Sequence, residues 1–120
     1  MESGSFVADD WSSPPVLVAH TFGQRWKGLK PRSLGIGMLI RGGSVHGFGM
    51  KEPLLVVGLD PERRVVGWET LLPGRFIRIG TAVEILELPA GAQPPPEGAV
   101  LTWVGAGPAD RLRNPHRQSR

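Results

Sequence analysis

Residues 54–59 read Leu-Leu-Val-Val-Gly-Leu, and this stretch decides the fold class. In a strand with only one buried face, apolar and polar residues alternate. In residues 54–59 both the odd-numbered and the even-numbered positions are apolar. We therefore predict a central β-strand that is covered on both of its faces.

Short apolar runs flank this strand and are separated by turn residues every 8–12 positions, a pattern typical of an all-β domain. Gly42-Gly43 suits a tight hairpin turn, Asp60-Pro61-Glu62-Arg63 a type I turn, and Pro73-Gly74 the centre of a type II turn. The other predicted strands cover residues 16–20, 36–40, 45–50, 64–69, 75–79, 83–88 and 99–104. We expect a small β-barrel or flattened β-sandwich of about eight short strands.

Two local patterns add detail to this architecture. Thr21 and Gln24 form a Thr-x-x-Gln capping box and Gly28 ends the pattern, so one short α-helix is predicted to pack on the sheet. In strand 83–88 the alternation slips between Ile85 and Leu86, which predicts a β-bulge.

The two ends of the chain differ in composition from its middle. Residues 1–15 hold three acidic and no basic residues and close on Ser-Ser-Pro-Pro, so we predict a flexible N-terminal leader. Residues 105–120 hold four arginines against one aspartate and have no apolar period, which predicts a disordered basic tail. A single β-rich domain is expected at residues 16–104, with a surface loop at the proline run of residues 93–97.

Composition excludes several classes of protein. The chain has 40% hydrophobic and 21% charged residues, which is typical of a globular protein. It has no cysteine and no close pair among its three histidines, so we expect no disulfide framework and no metal site. No apolar run is long enough to span a membrane, and no nucleotide-binding glycine motif is present, so no cofactor is expected. The start lacks the regions of a secretory signal, and we expect a cytoplasmic protein.

Four residues are weak candidates for acid–base catalysis, because carboxylates and imidazoles carry the proton transfers of hydrolases. They are His46, Glu52, Glu69 and Glu84. A lone histidine on a strand is more often structural, and we expect Glu84 and Glu87 to form the solvated face of a half-buried strand.

Arginines and aromatic residues raise the question of nucleic-acid binding, since such proteins combine basic grooves with stacking surfaces. The arginines are Arg41, Arg63, Arg64, Arg75 and Arg78, and the aromatic residues are Trp26, Phe48, Trp68 and Trp103. Because a small all-β core needs large apolar side chains, we expect these aromatic residues to fill the core instead. Nucleic-acid binding then depends mainly on the basic tail, and we do not favour it.

Several segments, in this order, resemble the domain-of-unknown-function family 192. They are residues 16–20, Thr21-x-x-Gln24-Arg25-x-x-Gly28-Leu29, Gly37-Met38-Leu39, Phe48-x-Met50-Lys51, Pro53-Leu54, Val65-Val66 and Leu86-Glu87-Leu88-Pro89-Ala90-Gly91. The resemblance covers residues 16–104 and implies one small β domain of barrel or flattened-sandwich type, with a short helix across one end. It implies no settled reaction, cofactor or substrate.

The chain also departs from this family at polar positions. Gly49 stands where the family usually has tryptophan, Glu52-Pro53 where it continues Asn-Thr, and Leu55 where it has an acid. Lys30 and Ile40 replace a usual methionine and phenylalanine. If the tryptophan, asparagine and acid form a polar site in relatives, this chain lacks that site.

The sequence has clear signals for a β fold, but it has no convincing cluster of polar residues of the kind that forms an active site. This combination favours a non-enzymatic accessory or binding domain. We expect it to contact a protein partner or a small polar ligand through residues 47–53, as a monomer or weak oligomer. The predicted binding residues are Arg41, His46, Phe48, Met50 and Lys51. The alternatives are a small hydrolase or isomerase that uses the glutamate and histidine candidates, and weak non-specific nucleic-acid binding through the tail.

Overall fold

The computed structural model of the chain describes residues 2–19, 35–47 and 52–105, and these ranges hold ten β-strands and no helix. The strands are β1 (Ser3–Ala8), β2 (Trp11–Ser12), β3 (Val16–Ala19), β4 (Gly37–Arg41), β5 (Ser44–His46), β6 (Leu54–Leu59), β7 (Val65–Leu71), β8 (Phe76–Arg78), β9 (Glu84–Pro89) and β10 (Thr102–Gly105). The all-β prediction is confirmed. The helix predicted at residues 21–28 lies outside the described residues.

Eight of these strands form one sheet. Seven follow the order β10-β1-β3-β4-β9-β6-β7, and β2 pairs with β1 off this path. Strands β3 and β4 run parallel, and the other neighbours run antiparallel. Strands β5 and β8 form a separate antiparallel pair, which we call the small sheet.

The large sheet curls until its two ends meet at one corner. The amide of Val65, which begins β7, donates to the Ala99 carbonyl at 2.8 Å, and the Leu101 amide donates to the Arg63 carbonyl at 2.9 Å. Residues 98–101 lead directly into β10, the strand at the opposite end of the order. The sheet is therefore a half-barrel that is tied together at the start of β7.

Both faces of the sheet are buried. Inside the half-barrel lies one apolar cluster that draws on strands from all around the curl, including Phe6, Val16, Leu39, Val57, Leu86 and Leu101. A second cluster lies on the outer face beneath the small sheet and includes Met38, Ile40, Val45, Val56, Ile77 and Ile85. Each fully buried valine or leucine side chain stabilises the fold by about 1.5–3 kcal/mol.

Strand β6 confirms the prediction made from residues 54–59. All six of its residues are buried, and it lies between β9 and β7. Leu55 and Val57 face the inner cluster, whereas Leu54 and Val56 face the outer one. The absence of alternation in this segment reflects a strand with apolar partners on both sides.

Two predicted turns are also confirmed. The Arg63 amide donates to the Asp60 carbonyl at 2.8 Å, which closes the turn over residues 60–63. The Arg75 amide donates to the Leu72 carbonyl at 3.1 Å, and Gly74 between them has φ 77°, as a type II turn requires.

The predicted flexible leader at residues 1–15 is wrong for most of its length. Strand β1 pairs with both β10 and β3, and Phe6 is completely buried. Trp11 is buried as well, and its indole Nε1 donates to the Gln93 carbonyl at 2.7 Å. The N-terminal segment therefore belongs to the folded domain, and the predicted loop at residues 93–97 is anchored on it.

The predicted hairpin at Gly42-Gly43 is wrong too. These glycines connect β4 in the half-barrel to β5 in the small sheet, so they form a corner between two sheets. A Cβ atom on Gly43 would lie 2.7 Å from the Ala82 carbonyl oxygen, which explains why a glycine is needed there.

Strand β9 contradicts two further predictions. It pairs with β4 and β6 without any register shift, so the predicted bulge near Ile85 is wrong. The irregularity lies in the β6–β7 pair instead, where Val66 is the extra residue. Glu87 was predicted to be solvated, but it is 1% exposed because the small-sheet side of β9 is also covered.

Among the residues placed by the structure, none forms a helix of the length and apolarity that crossing a membrane requires.

Candidate functional site

A pocket with a volume of about 470 Å³ opens at one end of the half-barrel. Its apolar wall includes Val18, Leu39 and Trp103, which come from β3, β4 and β10. Small-molecule sites in proteins generally have volumes of about 300–1,000 Å³ and often lie at the mouths of barrels. We call this pocket the mouth pocket.

The strand register explains why charged residues surround the pocket. Val18 and Leu39 are directly paired in β3 and β4, and Arg41 lies two residues further along the same face as Leu39. Arg41 is paired with Glu84, the first residue of β9. The apolar face of the half-barrel thus ends in a cross-strand pair of opposite charges.

Glu84 forms its ion pair with Arg63. The Arg63 Nε donates to Glu84 Oε1 at 3.0 Å, and Nη2 donates to Oε2 at 3.3 Å. The two side chains are only 34% and 23% exposed. Such a two-pronged contact is the strongest arrangement that a guanidinium and a carboxylate adopt. It ties the turn before β7 to the start of β9.

The same guanidinium lies over an aromatic ring. The Arg63 Cζ is 5.2 Å from the centroid of the Phe6 ring, which is cation–π geometry. The Phe6 ring in turn contacts Trp103 edge-on, with the ring centroids 4.9 Å apart and an interplanar angle of 63°. Glu84, Arg63, Phe6 and Trp103 therefore form one connected set of contacts, which holds the indole in place at the pocket.

Arg63 adopts a backbone conformation that is unusual for a residue with a side chain. Its φ is 64°, in the left-handed region, where an ordinary residue costs about 1–2 kcal/mol relative to a right-handed one. The preceding turn is stabilised by the Asp60 carboxylate, which accepts from the Glu62 and Arg64 amides at 2.9 and 2.8 Å. Glycine would be unstrained at this position, but only a long cationic side chain makes the contacts described above.

Arg41 differs from Arg63 in having no carboxylate partner among the residues that the structure describes. Its side chain is exposed, and it forms no ion pair with any residue in ranges 2–19, 35–47 and 52–105. Glu84, its cross-strand neighbour, already accepts from Arg63 with both oxygens. The rim of the mouth pocket therefore carries a guanidinium that forms no ion pair with any carboxylate that the structure describes.

Most of the residues predicted to carry chemistry lie elsewhere. Glu84 is the one catalytic candidate that lines the mouth pocket. His46 is exposed on β5, where it pairs with Phe76 of the small sheet. Glu52 is exposed just before β6, and Glu69 is exposed on β7. The structure does not bring these four residues together at this pocket.

Of the predicted binding residues, Arg41 lines the mouth pocket and His46 does not. Phe48, Met50 and Lys51 lie outside the described residues. Within those residues, no cluster of three or more histidine or acidic side chains is arranged to hold a metal ion.

Sequence reasoning missed the roles of Arg63 and Trp103. Arg63 was grouped with a general basic face, and Trp103 was assigned to the core. The signal available for Arg63 was its place at the end of the Asp60-Pro61-Glu62-Arg63 turn, a position that often needs glycine. No sequence signal links it to Glu84, because the two meet only through the pairing of β6 with β9, in which Leu59, just before the turn, lies opposite Glu84.

The described part of the chain is acidic, although the whole chain carries a net charge of +3. It contains five arginines and no lysine against ten aspartates and glutamates, so nine of the fourteen basic residues lie elsewhere in the sequence. Arg75 and Arg78 belong to the small sheet and its preceding turn, not to the mouth pocket. Within the described residues, acidic side chains therefore outnumber basic ones two to one.

Comparison of the chain with protein-family models gave no match, and neither did comparisons with curated proteins or with solved structures.

Proposed function

We propose that this chain is a non-enzymatic binding domain that holds a small polar ligand in the mouth pocket. The observation that carries the proposal is the combination of a preformed apolar wall with one guanidinium, Arg41, that no described carboxylate neutralises. In small-molecule sites apolar surface supplies affinity and polar groups fix orientation, and the lining of the mouth pocket offers side chains of both kinds.

The same geometry argues against acid–base catalysis at this pocket. General acid–base chemistry needs at least one titratable group that is within reach of the substrate proton. Glu84 is the candidate that lines the pocket, and both of its oxygens are already hydrogen-bonded to Arg63. His46, Glu52 and Glu69 do not line it. Binding is therefore the function that the described residues support best.

This proposal moves the site that the sequence suggested. The sequence favoured a contact surface at residues 47–53, of which Gly47, Glu52 and Pro53 are described, and none of these three lines the mouth pocket. Arg41 belongs both to the binding residues predicted from the sequence and to the mouth pocket. Membership in the domain-of-unknown-function family 192 stays a separate proposal, supported by the ordered segments between residues 16 and 91.

A fragment screen followed by methyl NMR tests the binding function. We expect fragments that bind to shift the methyl signals of Val18 and Leu39. Val18→Trp fills the pocket and should abolish this binding. Val100→Trp is the matched control, because Val100 is 44% exposed and does not line the pocket, and it should leave binding unchanged. Fragments that shift only methyls elsewhere, or that bind Val18→Trp as well as the parent chain, would refute the proposal.

A further inference from the structure

The charges around the mouth pocket identify a class of ligand. This step rests on the binding function proposed above. We infer that the ligand is an organic carboxylate with an apolar body, whose carboxylate is bound by Arg41 and whose body packs against Val18, Leu39 and Trp103.

The sign of the ligand charge follows from which groups at the pocket are already neutralised. Arg63 and Glu84 neutralise each other through two hydrogen bonds. Glu2, the other carboxylate at the pocket, also takes part in an interaction. Arg41 is the charged group at the rim that has no ion pair within the described residues. A cationic ligand would face the guanidinium without a free carboxylate, whereas an anion would neutralise it.

A carboxylate fits this site better than a phosphate does. The planar guanidinium presents two parallel N–H groups that match the two oxygens of one carboxylate. A phosphate dianion carries more charge than one arginine balances. The second guanidinium, that of Arg63, is committed to Glu84, and a dianion would have to compete with that bidentate pair. A monoanion needs no such rearrangement.

The apolar wall determines the rest of the ligand. Val18 and Leu39 are register partners in adjacent strands and both line the pocket, where Val18 is half-buried and Leu39 is 2% exposed. Trp103 is fixed by its edge-on contact with Phe6 at 4.9 Å. A wall that is already in place binds an aromatic ring or a short hydrocarbon chain without an ordering cost in the protein. The pocket volume of about 470 Å³ is of the size that accommodates such a molecule.

The test compares 3-phenylpropionate with its neutral amide, 3-phenylpropionamide, on the full chain. Binding is followed by the methyl signals of Val18 and Leu39 and by the indole N–H signal of Trp103, assigned with a Trp103→Phe variant. We expect the acid to bind about tenfold more tightly than the amide, because a hydrogen bond to a charged group in a partly exposed site is worth about that factor.

Two variants test whether Arg41 is the residue that favours the charged ligand over the neutral one. Arg41→Gln should remove the preference for the acid, because it weakens binding of the acid more than binding of the amide at the same pocket. Arg78→Gln is the matched control, because Arg78 is exposed on β8 and does not line the pocket, and it should retain the full preference. A preference that falls equally in both variants would overturn the assignment to Arg41.

The outcomes separate this inference from the binding function beneath it. Equal binding of acid and amide in the pocket would overturn the carboxylate inference and leave the binding function standing. The same holds if the fragment screen finds pocket ligands but neither 3-phenylpropionate nor any other monocarboxylate in the library is among them. If no fragment of any charge reaches the pocket, the binding function itself fails.

Discussion

Replacement of Gly58 by alanine should destabilise the protein by about 1–3 kcal/mol, the usual cost of overpacking a core. A Cβ atom on Gly58 would lie 2.6 Å from Ile79 Cγ2 and 2.9 Å from Ala82 Cβ, well inside van der Waals contact. Ile79 is 7% exposed, and its β-branched side chain has few rotamers with which to move away. The small sheet and the segment after it therefore leave room only for glycine at this point of β6.

Gly67 provides a matched control for this substitution. It is the cross-strand partner of Gly58, and its added Cβ would lie 3.5 Å from the same Ile79 methyl group, an ordinary contact. Gly67→Ala should be neutral or should stabilise the protein by up to about 1 kcal/mol, because alanine loses less backbone entropy on folding than glycine does.

Urea unfolding of the two variants measures the difference, provided that the slope of free energy against denaturant stays constant. A third variant tests the clash partner. Ile79→Ala removes the Cγ2 atom at 2.6 Å but leaves the Ala82 Cβ at 2.9 Å, so it should reduce the penalty of Gly58→Ala in a double-mutant cycle without abolishing it. If Gly58→Ala and Gly67→Ala are equally stable, or if Ile79→Ala does not relieve the penalty, the described packing of this outer face is wrong.

Three further predictions concern the half-barrel and its mouth. In a double-mutant cycle, Arg63→Met and Glu84→Gln should show a coupling of about 1 kcal/mol in the free energy of unfolding, reduced by added salt; zero coupling would contradict the bidentate pair. Phe6→Ala should lower the free energy of unfolding by about 3–5 kcal/mol, because Phe6 is fully buried. A loss under 1 kcal/mol would instead support a flexible N-terminal segment. Trp11→Phe should cost about 1–2 kcal/mol in the same assay, since the Gln93 carbonyl loses its donor; an unchanged midpoint would refute that contact.

Much of the fold was accessible from the sequence, because its strongest signals are local. The apolar segment 54–59 predicted its own strand with the observed bounds. Pro73-Gly74 predicted a turn in which Gly74 has the positive φ that only glycine adopts easily. Strand propensity and turn preferences at these places depend on only a few neighbouring residues. The strand and the turn can therefore be predicted without knowledge of the tertiary structure.

The errors arise where tertiary contacts override local composition. Residues 3–8 contain one large apolar side chain, Phe6, beside serines and a glycine, so they resemble a linker until β3 and β10 pair with them. Glu87 has a charged side chain at a buried position of a strand that is covered on both faces. In such a strand the alternation of apolar and polar residues does not show which side chains are exposed to solvent. The apparent slip in β9 was therefore misinterpreted as a bulge.

The candidate site was only partly predictable for a related reason. Arg41 and Glu84 were singled out for their residue types, but their neighbours depend on the cross-strand register of β4 and β9. The contact of Arg63 with Glu84 joins residues that are 21 positions apart, and the pairing of β6 with β9 brings them together because Leu59 lies opposite Glu84. Single-sequence patterns give no information about that pairing.

The most direct test of the mouth pocket as a carboxylate-binding site is to measure intermolecular nuclear Overhauser effects from 3-phenylpropionate to the full chain. The proposed site predicts contacts from the ring protons to the methyl groups of Val18 and Leu39 and to the Trp103 indole, and it predicts their loss in Val18→Trp. Contacts that lie only outside this pocket, or no contacts at saturating acid, would contradict it.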